Sequence, residues 1–152
     1  MKQTKAARFL KMNLFSMLAA VLIFTAFSCA SKASFQTSSV VPAARGDVKV
    51  KKDGNNNYQI KIKISGLAEA KRLEPAKQVY VVWLESEGHN INNLGRINSS
   101  SSFLSKKLKA DFETVSSIKP IKIFITAEDE ASVQYPGTHI ILTTNNFLKK
   151  NK

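Results

Sequence analysis

The chain has 152 residues and one cysteine, and its 23 lysines and arginines outnumber its 11 aspartates and glutamates, giving a formal net charge of +12. This length allows a single domain with a substantial apolar core. One cysteine excludes an internal disulfide framework, and also a zinc site built from several cysteines.

Residues 1–28 have the three-part pattern of a secretory signal. Four basic residues and no acid occupy the first 11 positions, and residues 14–27 are apolar except for Ser16 and Thr25. The apolar run is shorter than the roughly 20 residues that a helix needs to cross a bilayer. We therefore expect residues 1–28 to be a signal peptide that is removed on export.

The only cysteine, Cys29, follows this leader directly. Residues 26–29 (AFSC) resemble a bacterial lipobox, which implies that the thiol of Cys29 is acylated and that Cys29 becomes the new N-terminus. Lipidation would account for a cysteine without a disulfide partner in an exported chain. Two or three acyl chains would also anchor the protein stably. Ordinary cleavage after Ala30 or Ala33 is the alternative.

The two ends of the mature chain are predicted to lie outside the folded domain. Residues 29–45 are rich in serine and alanine without a sustained period, so we expect a lipid-anchored flexible tether. Residues 30–34 lack the acid at the next position that known inner-membrane retention signals carry, and they lack the acidic cluster of known surface-export signals. By resemblance to such sorting signals, this implies the periplasmic face of the bacterial outer membrane. Residues 146–152 are polar and basic and are expected to form a disordered tail.

A period of two dominates residues 46–145, which we predict to form one β-sandwich domain. Residues 57–64 alternate without interruption, with an apolar series facing one way and Gln59, Lys61 and Lys63 the other, as in a half-buried antiparallel strand. Residues 47–51 alternate likewise, and the turn-forming residues 52–56 join the two as a hairpin. The apolar series, predicted to be core, is Tyr58, Ile60, Ile62 and Ile64.

Five further strands are predicted at 79–84, 91–97, 103–108, 121–126 and 138–143. Residues 79–84 are apolar on both sides, which is typical of a central strand. Immunoglobulin-like sandwiches bury a tryptophan on such a strand, so Trp83 is predicted to be a core anchor. Seven short strands at this spacing predict an all-β fold, an antiparallel immunoglobulin-like β-sandwich. The other predicted core residues are Val81, Ile123 and Ile125.

Several short segments recur in an order that resembles a known family. They are residues 64–67 (ISGL), 79–84 (VYVVWL), 94–97 (LGRI), 126–128 (TAE) and 135–137 (YPG). Over about residues 46–144 this pattern resembles the extracytoplasmic C-terminal domain of anti-sigma-K factors. The resemblance implies an envelope domain suited to sensing or protein contact. It does not imply sigma-factor inhibition, because no residues match the sigma-binding domain or the membrane helix.

No residue pattern in the chain predicts catalysis. The serines at 99–102 form a predicted turn without an oriented base. The acids at 128–130 match no calcium-loop spacing, and His89 and His139 lack the companions that zinc requires. We predict no catalytic residue, no metal and no cofactor, and therefore a protein that is not an enzyme.

The basic residues fall mainly on the polar side of the predicted strands. No aromatic residues interleave with Lys49, Lys51, Lys61, Lys63 or Lys122, and an exported protein meets little nucleic acid, so we predict no nucleic-acid partner. Long charged side chains on a strand ordinarily form a solvated face. The functional interpretation is attraction to anionic lipid headgroups or to acidic polysaccharide.

The turn Tyr135-Pro136-Gly137 offers the best exposed candidate for a contact site. Together these patterns predict a non-catalytic envelope lipoprotein whose sandwich contacts another protein or senses the state of the envelope. The alternative is a module that binds carbohydrate or an anionic surface. The expected partners are the lipid bilayer, through acylated Cys29, and an envelope protein or polysaccharide.

Overall fold

The computed structural model describes residues 30–97, 99 and 100, and 108–147. Within these ranges the chain forms nine strands and one short 3-10 helix, Ala70–Arg72, between the third and fourth strands. The strands are β1 (Ala30–Ser34), β2 (Arg45–Lys52), β3 (Tyr58–Leu67), β4 (Val79–Glu85), β5 (Ile91–Arg96), β6 (Ser99–Ser100), β7 (Leu108–Ser116), β8 (Lys122–Glu128) and β9 (Ile140–Thr143).

The strands form two antiparallel sheets. One has five strands in the order β1-β2-β3-β7-β6, and the other has four in the order β5-β4-β8-β9. With β2 taken as strand A of an immunoglobulin domain, these orders become A-B-E-D and C′-C-F-G, with β1 added beside strand A. The predicted all-β, immunoglobulin-like sandwich is therefore confirmed, with more strands than the seven expected.

The main apolar core lies between the two sheets. Ile60, Ile62 and Ile64 of β3 and Ile123 and Ile125 of β8 are all buried in one cluster. Tyr58 packs against the same cluster and is half-buried. Every second residue of β3 points inward, because side chains alternate between the two faces of a strand.

A second, smaller apolar cluster covers the outer face of the four-stranded sheet. It consists of Val81, Trp83 and Phe124, with Val133 of the β8–β9 loop packed against it. The rings of Trp83 and Phe124 are stacked with their centroids 6.3 Å apart. Trp83 and Val81 are thus buried as expected of core residues, but on the opposite side of β4 from the space between the sheets.

The β2–β3 hairpin turns where the sequence predicts it. Asp53 Oδ1 accepts hydrogen bonds from the backbone N–H groups of Asn55 and Asn57, at 2.9 and 2.8 Å. Asn56 adopts a φ of 65°, a left-handed conformation that asparagine tolerates better than most residues. The side chain of Asp53 therefore fixes the turn, and the turn fixes the register of the two strands.

The structure corrects the prediction that residues 29–45 form a flexible tether. Residues 30–34 pair with β2 along their whole length, and Phe35 makes a bridge to Thr144 and is buried. Gly66 has a φ of 74°, and a Cβ there would collide with the carbonyl oxygen of Ala43. The small and polar residues of this segment give little apolar signal, yet pairing and close packing hold it on the sandwich.

The β1–β2 pair is also joined by side chains. The hydroxyl of Ser34 donates a hydrogen bond to Asp47 Oδ1 at 2.7 Å, and Lys32 Nζ lies 3.5 Å from Asp47 Oδ2. The Ser34 hydrogen bond, with help from Lys32, lowers the pKa of Asp47 below its usual value. These contacts are exposed, so their role is to position β1 rather than to supply much stability.

Several predicted boundaries differ from those of the structure. β7 was not predicted beyond Leu108, and most of the predicted strand at 103–108 lies outside the described residues, as do the signal peptide 1–28 and Cys29. The predicted tail begins too early, because Phe147 donates a backbone hydrogen bond of 2.7 Å to Ile121 and packs against the core. Residues 148–152 of that tail also lie outside the described residues.

Replacing Phe35 by alanine tests whether this segment belongs to the domain. Phe35 is buried in the core between the sheets, so Phe35→Ala should lower the free energy of unfolding by about 3–5 kcal/mol. Thr37→Ala, at a nearby exposed position, should change it by less than about 0.5 kcal/mol. Urea unfolding followed by the fluorescence of Trp83 measures both, and equally small effects would mean that the segment is a tether in solution.

Candidate contact site at one end of the sandwich

A groove of about 730 Å³ lies at one end of the sandwich, where segments distant in sequence meet. The β4–β5 turn and the start of β5 form one side. The β7–β8 connection and the β8–β9 loop form the other. The lining residues are Ser86, His89, Asn90, Ile91, Asn92, Ile118, Tyr135 and Pro136.

Three large apolar side chains are exposed around this groove. Ile91 is 42% exposed, Ile118 is 37% exposed and Tyr135 is 82% exposed. Single exposed apolar residues are common on protein surfaces, whereas several that converge around one concave surface are typical of an interaction site. The three residues belong to three separate segments, so the fold itself creates the cluster.

Polar side chains flank the apolar rim. The ring nitrogen Nδ1 of His89 lies 2.7 Å from Glu85 Oε1, and Lys122 Nζ lies 3.5 Å from the other carboxylate oxygen. The hydrogen bond from His89, with a smaller contribution from Lys122, lowers the pKa of Glu85 despite its partial burial. Lys119 forms an ion pair of 2.8 Å with Glu87, which raises the pKa of Lys119.

One buried polar atom at the groove has no partner. Asn92 Nδ2 is inaccessible to solvent and makes no hydrogen bond within the part of the chain that the structure describes. Asn92 pairs with Leu84 across the β4–β5 ladder and lines the groove. A buried donor without an acceptor is costly, but because solvent does not reach this atom, a ligand in the groove can accept its hydrogen bond only after neighbouring side chains move.

The loop that carries Tyr135 and Pro136 is held by a chain of buried hydrogen bonds. The indole N–H of Trp83 donates to Thr126 Oγ1 at 2.7 Å, and the Thr126 hydroxyl donates to Glu128 Oε1 at 2.5 Å. The same carboxylate oxygen accepts the backbone N–H of Gly137 at 2.7 Å. The loop is therefore tied to the sheet through one carboxylate.

Asn93 of β5 holds the same loop from its other side. Its side-chain amide donates to the carbonyl oxygens of Ala131 and Val133, at 3.0 and 2.7 Å. Its side-chain oxygen accepts the backbone N–H of Gly95 at 2.8 Å. The loop consequently covers the Trp83 cluster and presents Tyr135 to solvent.

The structure separates the three residues of the predicted contact turn. Tyr135 and Pro136 line the groove. Gly137 instead packs on Glu128, and a Cβ at this position would lie 2.8 Å from Glu128 Oε2. Sequence reasoning missed Ile91, Ile118 and the two asparagines. The signal that could have indicated the asparagines is the Asn92-Asn93 pair, since asparagine is depleted in strands.

Comparison with protein-family models, with curated proteins and with solved structures finds no match to this chain. The resemblance to anti-sigma-K factors therefore stays a prediction. Within residues 30–97, 99 and 100, and 108–147, no three His, Cys, Asp or Glu side chains are grouped so that they could hold a metal ion. No helix in this part of the chain is long and apolar enough to span a membrane.

Replacing Thr126 by valine tests the hydrogen-bond chain under the loop. Valine has a similar shape but leaves the indole N–H of Trp83 without an acceptor and removes a donor from Glu128. We expect Thr126→Val to lower the free energy of unfolding by about 1–3 kcal/mol, and Thr126→Ser, which keeps the hydroxyl, to cost about 0.8 kcal/mol for one methyl group. Urea unfolding gives both values, and a larger loss for serine than for valine would contradict this account.

Proposed function

We propose that this chain is a non-catalytic lipoprotein of the bacterial envelope whose β-sandwich binds another envelope protein through the end groove. The observation that carries the proposal is the convergence of Ile91, Ile118 and Tyr135 around one concave surface. The proposed location is the periplasmic face of the outer membrane, with acylated Cys29 as the anchor.

The composition of the groove favours a protein partner over a carbohydrate. Two of its three exposed apolar side chains are branched aliphatics, and Tyr135 is the only aromatic among the lining residues. A sugar ring is usually held against flat aromatic faces, and a groove with one aromatic provides little such surface. A tyrosine beside aliphatic residues, surrounded by polar groups, is instead typical of protein interfaces.

The polar groups of the groove suit a peptide segment of the partner. The Asn92 amide nitrogen is a buried donor beside the groove, and a peptide carbonyl would accept from it once binding rearranges the side chains that cover it. The ion pairs at Glu85 and Glu87 lie at the rim, where charged residues remain solvated and contribute to specificity more than to affinity. We therefore propose that the partner inserts a segment with an apolar side chain and a free backbone carbonyl.

The position of β1 supports processing at Cys29. Cleavage after Ala33 would remove four of the five residues of β1, and cleavage after Ala30 would remove its first residue. Processing before Cys29 leaves the whole strand and its pairing with β2 intact. The lipid-bearing residue would then directly precede the sandwich.

A photo-crosslinking amino acid at position 135 tests the groove. In the cells that produce the protein, it should form an adduct with one defined envelope protein. Val40, 39% exposed in the connection between β1 and β2, is the matched control position and should give no such adduct. Ile91→Ser should reduce the adduct at position 135 by about tenfold, because it removes an apolar contact that the partner would bury. The same adduct from position 40, or one that Ile91→Ser leaves unchanged, would refute the groove as the binding site.

The intact mass and membrane partition of the mature protein test the anchor separately. Wild-type protein should carry a lipid-sized mass increment and should sediment with membranes. Cys29→Ala should lose both, because no other cysteine is present to be acylated, whereas Ser31→Ala should keep both. An unmodified soluble chain that begins after Ala30 or Ala33 would rule out the lipoprotein.

A further inference from the structure

The outer face of the five-stranded sheet concentrates the positive charge of the described residues. We call this surface the basic face; it consists of the residues of β1, β2, β3 and β7 that point away from the other sheet. It carries seven lysine and arginine side chains and three acidic ones. The remaining described residues carry seven basic and eight acidic side chains, so the excess of positive charge lies on this face alone.

Lysines stand directly beside one another on the basic face. Lys32 of β1 is opposite Lys49 of β2, which is opposite Lys61 of β3. Lys32 and Lys61 each approach an acid, Asp47 at 3.5 Å and Glu113 at 2.9 Å. Lys49 has no acidic partner among the described residues, and like charges directly opposite on a sheet are destabilising.

Protection of a sheet edge does not account for this arrangement. Lysines on edge strands prevent sheets from pairing with other chains, but β2 and β3 each have a neighbour on both sides. Lys51 on the inner strand β2 also lacks an acidic partner in the described part of the chain. Lys63 stands opposite Asp47 and Asp111 in the two ladders but forms no ion pair with either. The repulsion between Lys49 and its two lysine neighbours is therefore retained where edge protection does not require it.

The spacing of the charges suits an extended anionic surface. Adjacent strands are about 4.8 Å apart, and residues on one face of a strand repeat about every 6.8 Å. Positive charges on four neighbouring strands thus form an array rather than a pocket for one small anion. Attraction between such an array and a charged surface acts within a Debye length of about 8 Å at physiological salt, which requires the face to lie against that surface.

We infer that the basic face docks on the headgroups of an anionic lipid bilayer. The chain enters this sheet at Ala30 through its edge strand β1, and the 29 residues before it contain the basic and apolar leader and Cys29. If Cys29 carries the proposed lipid, this sheet is the one joined to the membrane anchor, which favours a bilayer over a soluble polyanion. The choice of a bilayer therefore rests on the proposed function, whereas the face itself lies on the sheet opposite to the one that carries most of the groove.

Chemical labelling of lysines on vesicles tests this orientation. The full chain is reconstituted in vesicles that contain phosphatidylglycerol, or in vesicles of phosphatidylcholine alone, and is acetylated briefly before mass spectrometry. Labelling of Lys49, Lys51 and Lys63 should fall at least about threefold on the anionic vesicles, and molar salt should restore it. Lys71 and Lys122, which lie off the basic face, should be labelled equally on both.

Two triple variants that remove the same number of positive charges distinguish the effect of the basic face from the effect of net charge. Lys49→Gln, Lys51→Gln and Lys63→Gln together should abolish the protection of Lys109, which remains on the face. Lys71→Gln, Arg72→Gln and Arg96→Gln together should preserve it. The fluorescence of Trp83 verifies that both variants are folded.

Three outcomes would overturn the inference. The first is equal labelling of Lys49, Lys51 and Lys63 on the two kinds of vesicle. The second is an equal loss of protection in the two triple variants, which would mean that total charge and not the face is responsible. The third is protection by soluble polygalacturonate but not by anionic vesicles, which would assign the face to acidic polysaccharide.

Discussion

β4 is apolar on both faces, and this requires a cover on the outer side of the four-stranded sheet. Tyr80, Val82 and Leu84 pack between the sheets, while Val81 and Trp83 face away from them. The indole N–H of a buried tryptophan usually needs an acceptor, and Thr126 provides one. The β8–β9 loop must then close over the cluster, so the position of the groove follows from the need to bury this tryptophan.

The buried carboxylate of Glu128 connects this requirement to the surface. Its side chain is almost inaccessible and accepts hydrogen bonds from the Thr126 hydroxyl and the backbone of Gly137. A buried carboxylate is costly unless it is hydrogen-bonded. If the loop left the sheet, the carboxylate of Glu128 would lose the N–H donor of Gly137. The hydrogen bond from Gly137 to Glu128 therefore also restrains Tyr135 and Pro136, the two residues that precede Gly137.

The sequence allowed the sandwich to be predicted where side chains alternate strongly, as along β3, and where one side chain defines a turn, as Asp53 does. It did not reveal β1, whose small and polar residues carry no apolar period, or most of β7, where Lys109 and two acids on one side mask the inward-facing Ala110 and Phe112. Both strands form because they can pair through backbone hydrogen bonds with a neighbouring strand, β1 with β2 and β7 with β3. The groove was predictable only at Tyr135 and Pro136, because its other walls come from segments that only the topology brings together.

The loss of the expected tether changes what an anchor at Cys29 would do. A flexible linker over residues 29–45 would let the domain rotate freely at roughly 20 Å from the lipid. With β1 beginning at Ala30, few rotatable bonds would separate the lipid from a paired strand, so the sandwich would be held at the headgroups with restricted orientation. Restriction lowers the entropic cost of bringing any one face to the bilayer. The five-stranded sheet, which carries the excess positive charge of the described residues, is the one that contains β1, so an anchor at Cys29 would hold this sheet nearest the bilayer and would leave the groove on the side available to a partner.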